Sequence, residues 1–279
     1  MKQNLLIIGS EGSIGKYLVK FFKKKYKIFK IDINFNKLNN KPFKKINLSK
    51  KKVSNVKFKN KIDLVICLSF NLKFNSISKK KYFYEGINII NNTLKIIKLN
   101  KIKKIQYFSS FAVYGKNFNY NEEKDTPKPF TNYGKLKLIC ENKLIKFSKK
   151  NKLQHQIFRI PNVYGPGIKS SIIYKFSKNK AHKIPVVLNN KGSSLRNFIH
   201  INDLAKLSEK AFKINNSGIF NASAKKNYSI LQISKMLKVK YIFNKKGLDE
   251  PKRILGNSLK AKKIFKWVAM KDLKSFSKS

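Results

Sequence analysis

Acidic residues are scarce: 13 Asp and Glu stand against 64 Lys and Arg, a formal net charge of +51 over 279 residues. Such a balance invites a nucleic-acid reading. Lysine, however, is spread through every segment, and no DNA- or RNA-binding module is recognisable, so no specific nucleic-acid partner is expected. Salt-sensitive attraction to polyanions and to anionic small molecules is what such a charge produces. Cysteine is nearly absent; Cys67 and Cys140 supply neither a disulfide framework nor metal-ligand spacing, and no metal is expected. Long apolar runs are missing too. None approaches the ~18 to 20 residues of a membrane span, and the Leu5–Ile8 run is too short for a signal sequence and stops at Gly9. A cytoplasmic protein with no membrane partner is the expectation. Arginine is the last scarcity, with only Arg159, Arg196 and Arg253. Lysine supplies charge equally well, so what an arginine adds is a planar, bidentate fork.

What is present is ample core material, 42% hydrophobic and 13% aromatic residues, enough for one large domain or two entwined ones. The apolar stretch from Asn4 to Ile8 reads as a strand. It runs into Gly9-Ser10-Glu11-Gly12-Ser13-Ile14-Gly15 and then an amphipathic helix to about Lys24. Glycines at Gly9, Gly12 and Gly15 allow a tight turn and close approach of a pyrophosphate to a helix amino terminus, with Ser13 and Ile14 in the first turn. A second strand ends at Asp32, placed to accept hydrogen bonds from adenosine ribose hydroxyls, which favours NAD over NADP. Strands follow at Lys44 to Leu48, Asp63 to Leu68 and Ile105 to Phe108. A long helix spans Lys79 to Leu99, with Gly86 weakening its middle. This alternation predicts an α/β fold, a doubly wound parallel sheet of Rossmann type.

The stretch from Ser109 to Lys137 carries the chemistry. Ser110 stands at the carboxyl end of a strand, and Tyr133 and Lys137, four apart, share one face of the next helix. In open α/β sheets ligands bind outside those strand ends. A hydroxyl, a phenol and an ammonium converging there suit proton transfer at a sugar or alcohol. Beyond Gly167 the segments become less regular. Short strands are expected at Asn197 to His200 and Gly218 to Asn221, and a capping box opens a helix at Ser229. The expected organisation is a dinucleotide-binding domain over 1–165, completed by strands near 197–201 and 218–222, with a smaller substrate lobe mainly over 166–279.

Taken together, these pieces resemble the extended short-chain dehydrogenase/reductase family, in particular its nucleotide-sugar epimerases, dehydratases and reductases. The resemblance rests on the glycine turn, Asp32, Ser110-Phe111-Ala112-Val113-Tyr114-Gly115 and Tyr133-x-x-x-Lys137. Later come Arg159-x-x-Asn162-Val163-Tyr164-Gly165-Pro166, Arg196-x-Phe198-Ile199-His200-x-x-Asp203 and the closing Pro251-x-Arg253 segment. It implies that Tyr133 is the general acid or base, its phenol acidified by Lys137, which also holds the nicotinamide ribose. It implies that Ser110 holds the sugar oxygen, that Asn162, Arg196 and Arg253 hold the substrate diphosphate or neighbouring groups, and that Arg159 is structural. Family dehydratases carry an Asp-Glu pair where this chain has Phe111-Ala112, which argues against 4,6-dehydration. An adenine-contacting Asp is replaced by Asn47, and the usual His-Leu-Ala-Ala after the fourth strand stands here as Cys67-Leu68-Ser69-Phe70.

The function the resemblance implies is an NAD-dependent nucleotide-sugar epimerase, with transient oxidation at C4 of a nucleotide-diphosphate hexose and hydride returned to the other face. The alternatives are a 4-reductase or dehydrogenase of the same family, or a noncatalytic dinucleotide-binding sensor. Family members commonly dimerise through two long helices, here Lys79 to Leu99 and Asn132 to Lys149, so a homodimer is expected.

Overall fold

Buried, near-continuously apolar strands form the spine of the first sheet. The computed structural model describes residues 2–34, 43–53, 55–70, 76–116, 121–244 and 251–276. In chain order the strands are β1 (Asn4–Ile8), β2 (Lys27–Asp32), β3 (Phe43–Lys45), β4 (Leu64–Cys67), β5 (Lys104–Ser110), β6 (Gln154–Ile160), β7 (Asn162–Tyr164), β8 (Val186–Leu188), β9 (Leu195–His200), β10 (Gly218–Asn221), β11 (Asn227–Ser229), β12 (Tyr241–Phe243) and β13 (Arg253–Ile254). The helices are α1 (Ser13–Phe22), α2 (Lys79–Leu99), α3 (Asn132–Asn151), α4 (Ile172–Ala181), α5 (Ile201–Phe212), α6 (Ile230–Met236), α7 (Leu259–Phe265) and α8 (Leu273–Phe276).

Seven strands pair in the order β10-β6-β5-β4-β1-β2-β3. β1 pairs in parallel with β2 and β4, β2 with β3, and β4 with β5. Between β1 and β4 the direction of strand addition reverses, the switch point of a doubly wound sheet. Every residue of β4 is buried, as a strand covered on both faces requires. The expected third strand, Lys44 to Leu48, is shorter and begins one residue earlier. The loop after it is pinned instead by the buried Asn92, whose amide donates to the carbonyls of Leu48 and Lys50 at 2.8 and 2.9 Å.

Two compact units share the chain: residues 1–109, 131–158 and 211–219 in the first, and 110–130, 159–210 and 220–279 in the second. The partition is therefore not a single cut near 165, because the chain passes between the units several times. The first unit's core joins Ile8, Ile31, Val65 and Ile105 to helix residues Ile90, Ile97, Leu136 and Leu144. Gly86 lies against Leu136 where α2 packs on α3. A Cβ there would lie 2.2 Å from Leu136 Cδ2, so the glycine that costs helix propensity permits the close crossing.

In the second unit, β9 is central to a separate sheet, in the order β11-β9-β13 with β7 also paired to β9. This corrects the expectation that the strand near 197–201 completes the first sheet. Asn197 explains the pairing: its amide donates to the carbonyls of Ala224 and Lys226, and its side-chain oxygen accepts from Ala224 N, tying β9 to the approach of β11. The unit's core gathers Tyr164, Ile173, Phe176, Leu188, Phe198 and Ile233. The Ser229 capping box closes α6 with reciprocal bonds to Gln232.

Candidate active site

The turn after β1 is built around backbone that tolerates no side chain. Gly9 has φ +86°, and a Cβ on it would lie 2.7 Å from the Ser69 amide nitrogen; one on Gly15 would lie 2.1 Å from the Gly9 carbonyl oxygen. α1 then begins with Gly12 as its N-cap and no side-chain cap on the first turn of Ser13, Ile14 and Gly15. Uncapped N–H groups at the positive end of a helix favour an anion. Asp32, the last residue of β2, accepts from Glu11 N at 2.8 Å and from Asn34 N at 2.9 Å. Each carboxylate oxygen keeps a second lone pair for a ribose hydroxyl. A backbone cradle that a Cβ would fill, an uncapped helix start and a strand-end carboxylate fit a dinucleotide. Asn47 is engaged in its own turn, accepting from Ser49 N and Oγ.

The ammonium of Lys137 lies under this end of the sheet. Thr131 caps α3 by accepting from Gly134 N at 3.1 Å, which fixes the first turn and so the faces of Tyr133 and Lys137. Lys137 is 4% exposed and donates to the Phe108 carbonyl oxygen at 2.8 Å. Its Nζ is 4.0 Å from the ring centre of Phe70, 5.0 Å from Tyr107 and 6.0 Å from Tyr133. The Tyr133 ring meets Phe70 edge to face with centroids 5.3 Å apart. One turn on, the buried Glu141 accepts a hydrogen bond from Ser109 Oγ.

Burial pushes the Lys137 ammonium down to about 8, against the opposing pull of Cys140, Cys67 and Glu141 in their charged forms. A neighbouring cation favours the charged form of an acidic group, and the Lys137 ammonium lies 6.0 Å from the Tyr133 ring centre. The two thiols do not compete as nucleophiles: burial raises Cys67 to about 11 and pushes Cys140 up as well.

In the second unit, Ser110 caps the 3-10 turn Phe111–Val113, its Oγ accepting from Ala112 N at 3.2 Å. Accepting there leaves the hydroxyl proton to donate. Asn162 and Arg196 meet at one cavity of about 200 Å³, with Ile172, Phe176, Val187, Asn189, Phe198 and Ile230 completing its described lining. Asn162 donates to Asn197 O at 3.3 Å, and the Arg196 guanidinium to Leu195 O at 2.9 Å. Arg253 is not among the described lining residues; it is exposed and its register partner is Leu195, not Arg196. Arg159 is buried with its guanidinium 4.7 Å from the ring centre of Tyr114. Burial, offset by Arg159, raises that phenol to about 12, and its hydroxyl donates to Asn221 at 2.7 Å.

A family model, the NAD dependent epimerase/dehydratase family, matches residues 5–223. The chain belongs to this family. Among epimerase/dehydratase relatives, ADP-L-glycero-D-manno-heptose-6-epimerase of Brachyspira hyodysenteriae is 31% identical over 171 residues, 58% of this chain and 54% of that protein. dTDP-D-glucose 4,6-dehydratase of Dictyostelium discoideum is 27% identical over 266 residues, 84% of this chain and 61% of that one. The chain thus spans little more than half the length of these two relatives. UDP-glucuronic acid 4-epimerase from Bacillus cereus, solved with UDP-glucuronic acid and NAD, superposes with TM-score 0.85 at 23% identity, covering 99% of this chain and 97% of that one, a likeness of fold.

Sequence reasoning noted Phe70 only as a departure and missed its place against Tyr133 and Lys137. It also missed Glu141, Ser109 and the Phe108 carbonyl. One signal was available: a carboxylate four residues after Lys137, among the few in so basic a chain.

Proposed function

We propose that this chain is an NAD-dependent nucleotide-sugar epimerase acting through transient oxidation at C4 of a nucleotide-diphosphate hexose. The observation that carries the reading is the pair on α3: a buried Lys137 ammonium fixed to the Phe108 carbonyl, one turn from the Tyr133 phenol. A protein that only bound a dinucleotide would have no use for a phenol one turn from a buried ammonium.

The glycine turn of Gly9, Gly12 and Gly15, with Ser13, Ile14 and Asp32, would hold NAD by its pyrophosphate and adenosine ribose, and Lys137 its nicotinamide ribose. Bound NAD supplies a hydride acceptor and donor. Tyr133 takes the proton of the sugar hydroxyl as its carbon is oxidised and gives it back on reduction, while Lys137 holds the phenolate charge down. Ser110 donates its hydroxyl proton to the reacting sugar oxygen and orients it. Asn162 and Arg196 hold the diphosphate, Arg196 through its fork, and the apolar part of the cavity they line takes the nucleoside. Arg253 adds positive charge for the substrate. Dehydration is disfavoured, because Phe111, buried against Tyr114, and Ala112 offer no acid or base.

Incubation of the purified chain with UDP-, GDP- and dTDP-hexoses, without added cofactor and followed by NMR, tests the proposal. Epimer formation with no net NADH change supports it. Turnover strictly dependent on stoichiometric reduced or oxidised cofactor would establish the reductase or dehydrogenase alternative.

We further infer a homodimer through α2 and α3, which would cover the exposed Tyr84; sedimentation at physiological salt reads it. Both cysteines are free and buried, which suits a reducing, cytoplasmic compartment. Among the described residues no helix is long and apolar enough to cross a membrane.

A further inference from the structure

Three rings surround the Lys137 ammonium, and they differ in what holds them. Tyr107 belongs to β5 and is buried in the core; Tyr133 belongs to α3. Phe70 alone lies outside regular structure, three residues beyond the end of β4, and is half-buried. It is also the nearest ring, with its centre 4.0 Å from Nζ, while its edge-to-face contact reaches Tyr133. An ammonium over an aromatic face is attracted by the ring quadrupole, more so where water is excluded. The remaining groups that act on the ammonium lie on β4 and α3: Cys67, Cys140 and Glu141.

We propose that Phe70 is a positioning residue that caps Lys137, holding the ammonium against the Phe108 carbonyl in the unliganded site and turning aside when a ribose hydroxyl takes the ammonium. The second half rests on the dinucleotide reading above; the first does not. Lys137 is 4% exposed, and of the three rings Phe70 stands nearest its Nζ, at 4.0 Å.

Lys104 provides an internal control. It too is buried and shifted down to about 8, but it donates to the carbonyls of Phe212 and Ile214, at 2.6 and 2.9 Å, with no ring of the described residues over it. Each lysine is compared with itself across the variants, so a change at Lys104 reports general loosening and a change at Lys137 alone reports the ring. Wild-type chain, Phe70→Ala and Phe70→Leu are acetylated with an N-hydroxysuccinimide ester at pH 8, and the Lys137 and Lys104 peptides are counted by mass spectrometry. The expected result is a rise of about tenfold at Lys137 in Phe70→Ala, a smaller rise in Phe70→Leu, and no change at Lys104. NAD should bind Phe70→Ala about fivefold more tightly than wild type, since no cap is displaced. An unchanged Lys137 rate overturns the cap, as does a rise that Lys104 shares in both variants, the mark of general loosening. Weaker NAD binding by Phe70→Ala overturns the displacement. If wild type and variants alike bind no NAD, the cofactor reading and the displacement fall together, and the labelling still decides the cap.

Discussion

The two ends of β5 each bury a lysine, and the contrast between them separates structural burial from functional burial. Lys104, the first residue of the strand, donates to the carbonyls of Phe212 and Ile214 and so caps the carboxyl end of α5, where a cation suits the helix dipole. Lys137 donates near the other end, to the Phe108 carbonyl, and has rings around it where Lys104 has a second carbonyl. Desolvation lowers both to about 8. A shifted lysine therefore says little by itself. What marks Lys137 is a single carbonyl acceptor with rings around the ammonium and a phenol one turn away.

The largest way to sharpen the contrast is at the phenol. Tyr133→Phe should cut turnover by about a thousandfold while leaving NAD affinity within about threefold, measured by epimer formation and by titration. Lys137→Met should cost about a hundredfold in kcat, whereas Lys104→Met should leave turnover within about twofold; equal losses at the two ends would break the comparison. Arg196→Lys, which keeps the charge and loses the fork, should raise KM for the nucleotide sugar about tenfold with little change in kcat.

The smallest effect concerns stability and pH. The folded-state pKa of Lys104, about 8, lies below its ordinary 10.5, so the folded chain sheds that proton first. Between about pH 8 and 10.5 the unfolded chain binds more protons, and stability rises with pH through that window. Below about pH 8 both states carry the charge and this slope vanishes. Lys104→Met should therefore show a smaller gain in Tm from pH 8 to pH 10 than wild type does.

Local spacing was what the sequence made readable. The glycine turn with Asp32, and Tyr133 with Lys137, depend on neighbours within a turn or on one strand–helix junction, and the structure builds each cluster inside one unit. Long-range choices were not readable in the same way. The segment Asn197 to His200 was readable as a strand, but its partner is decided by Asn197 and the distant Ala224 and Lys226. Gly86 read as a weak point of a helix, because the Leu136 side chain that requires it lies fifty residues away in sequence. Phe70 read as a departure from a family pattern, since its ring contacts with Tyr133 and Lys137 arise only once β4 and α3 are packed. Arg159, read as structural, has its guanidinium buried over the Tyr114 ring.

The account depends on hydride leaving and returning to one sugar carbon while Tyr133 handles only the hydroxyl proton. The most direct test supplies a nucleotide hexose deuterated at C4 and follows the isotope in the epimer by NMR and mass spectrometry. Retention of the deuterium at C4, with none gained when the unlabelled substrate turns over in D2O, is the predicted result. Loss of the C4 label to solvent would mean that a base removes that hydrogen as a proton, and would contradict the account.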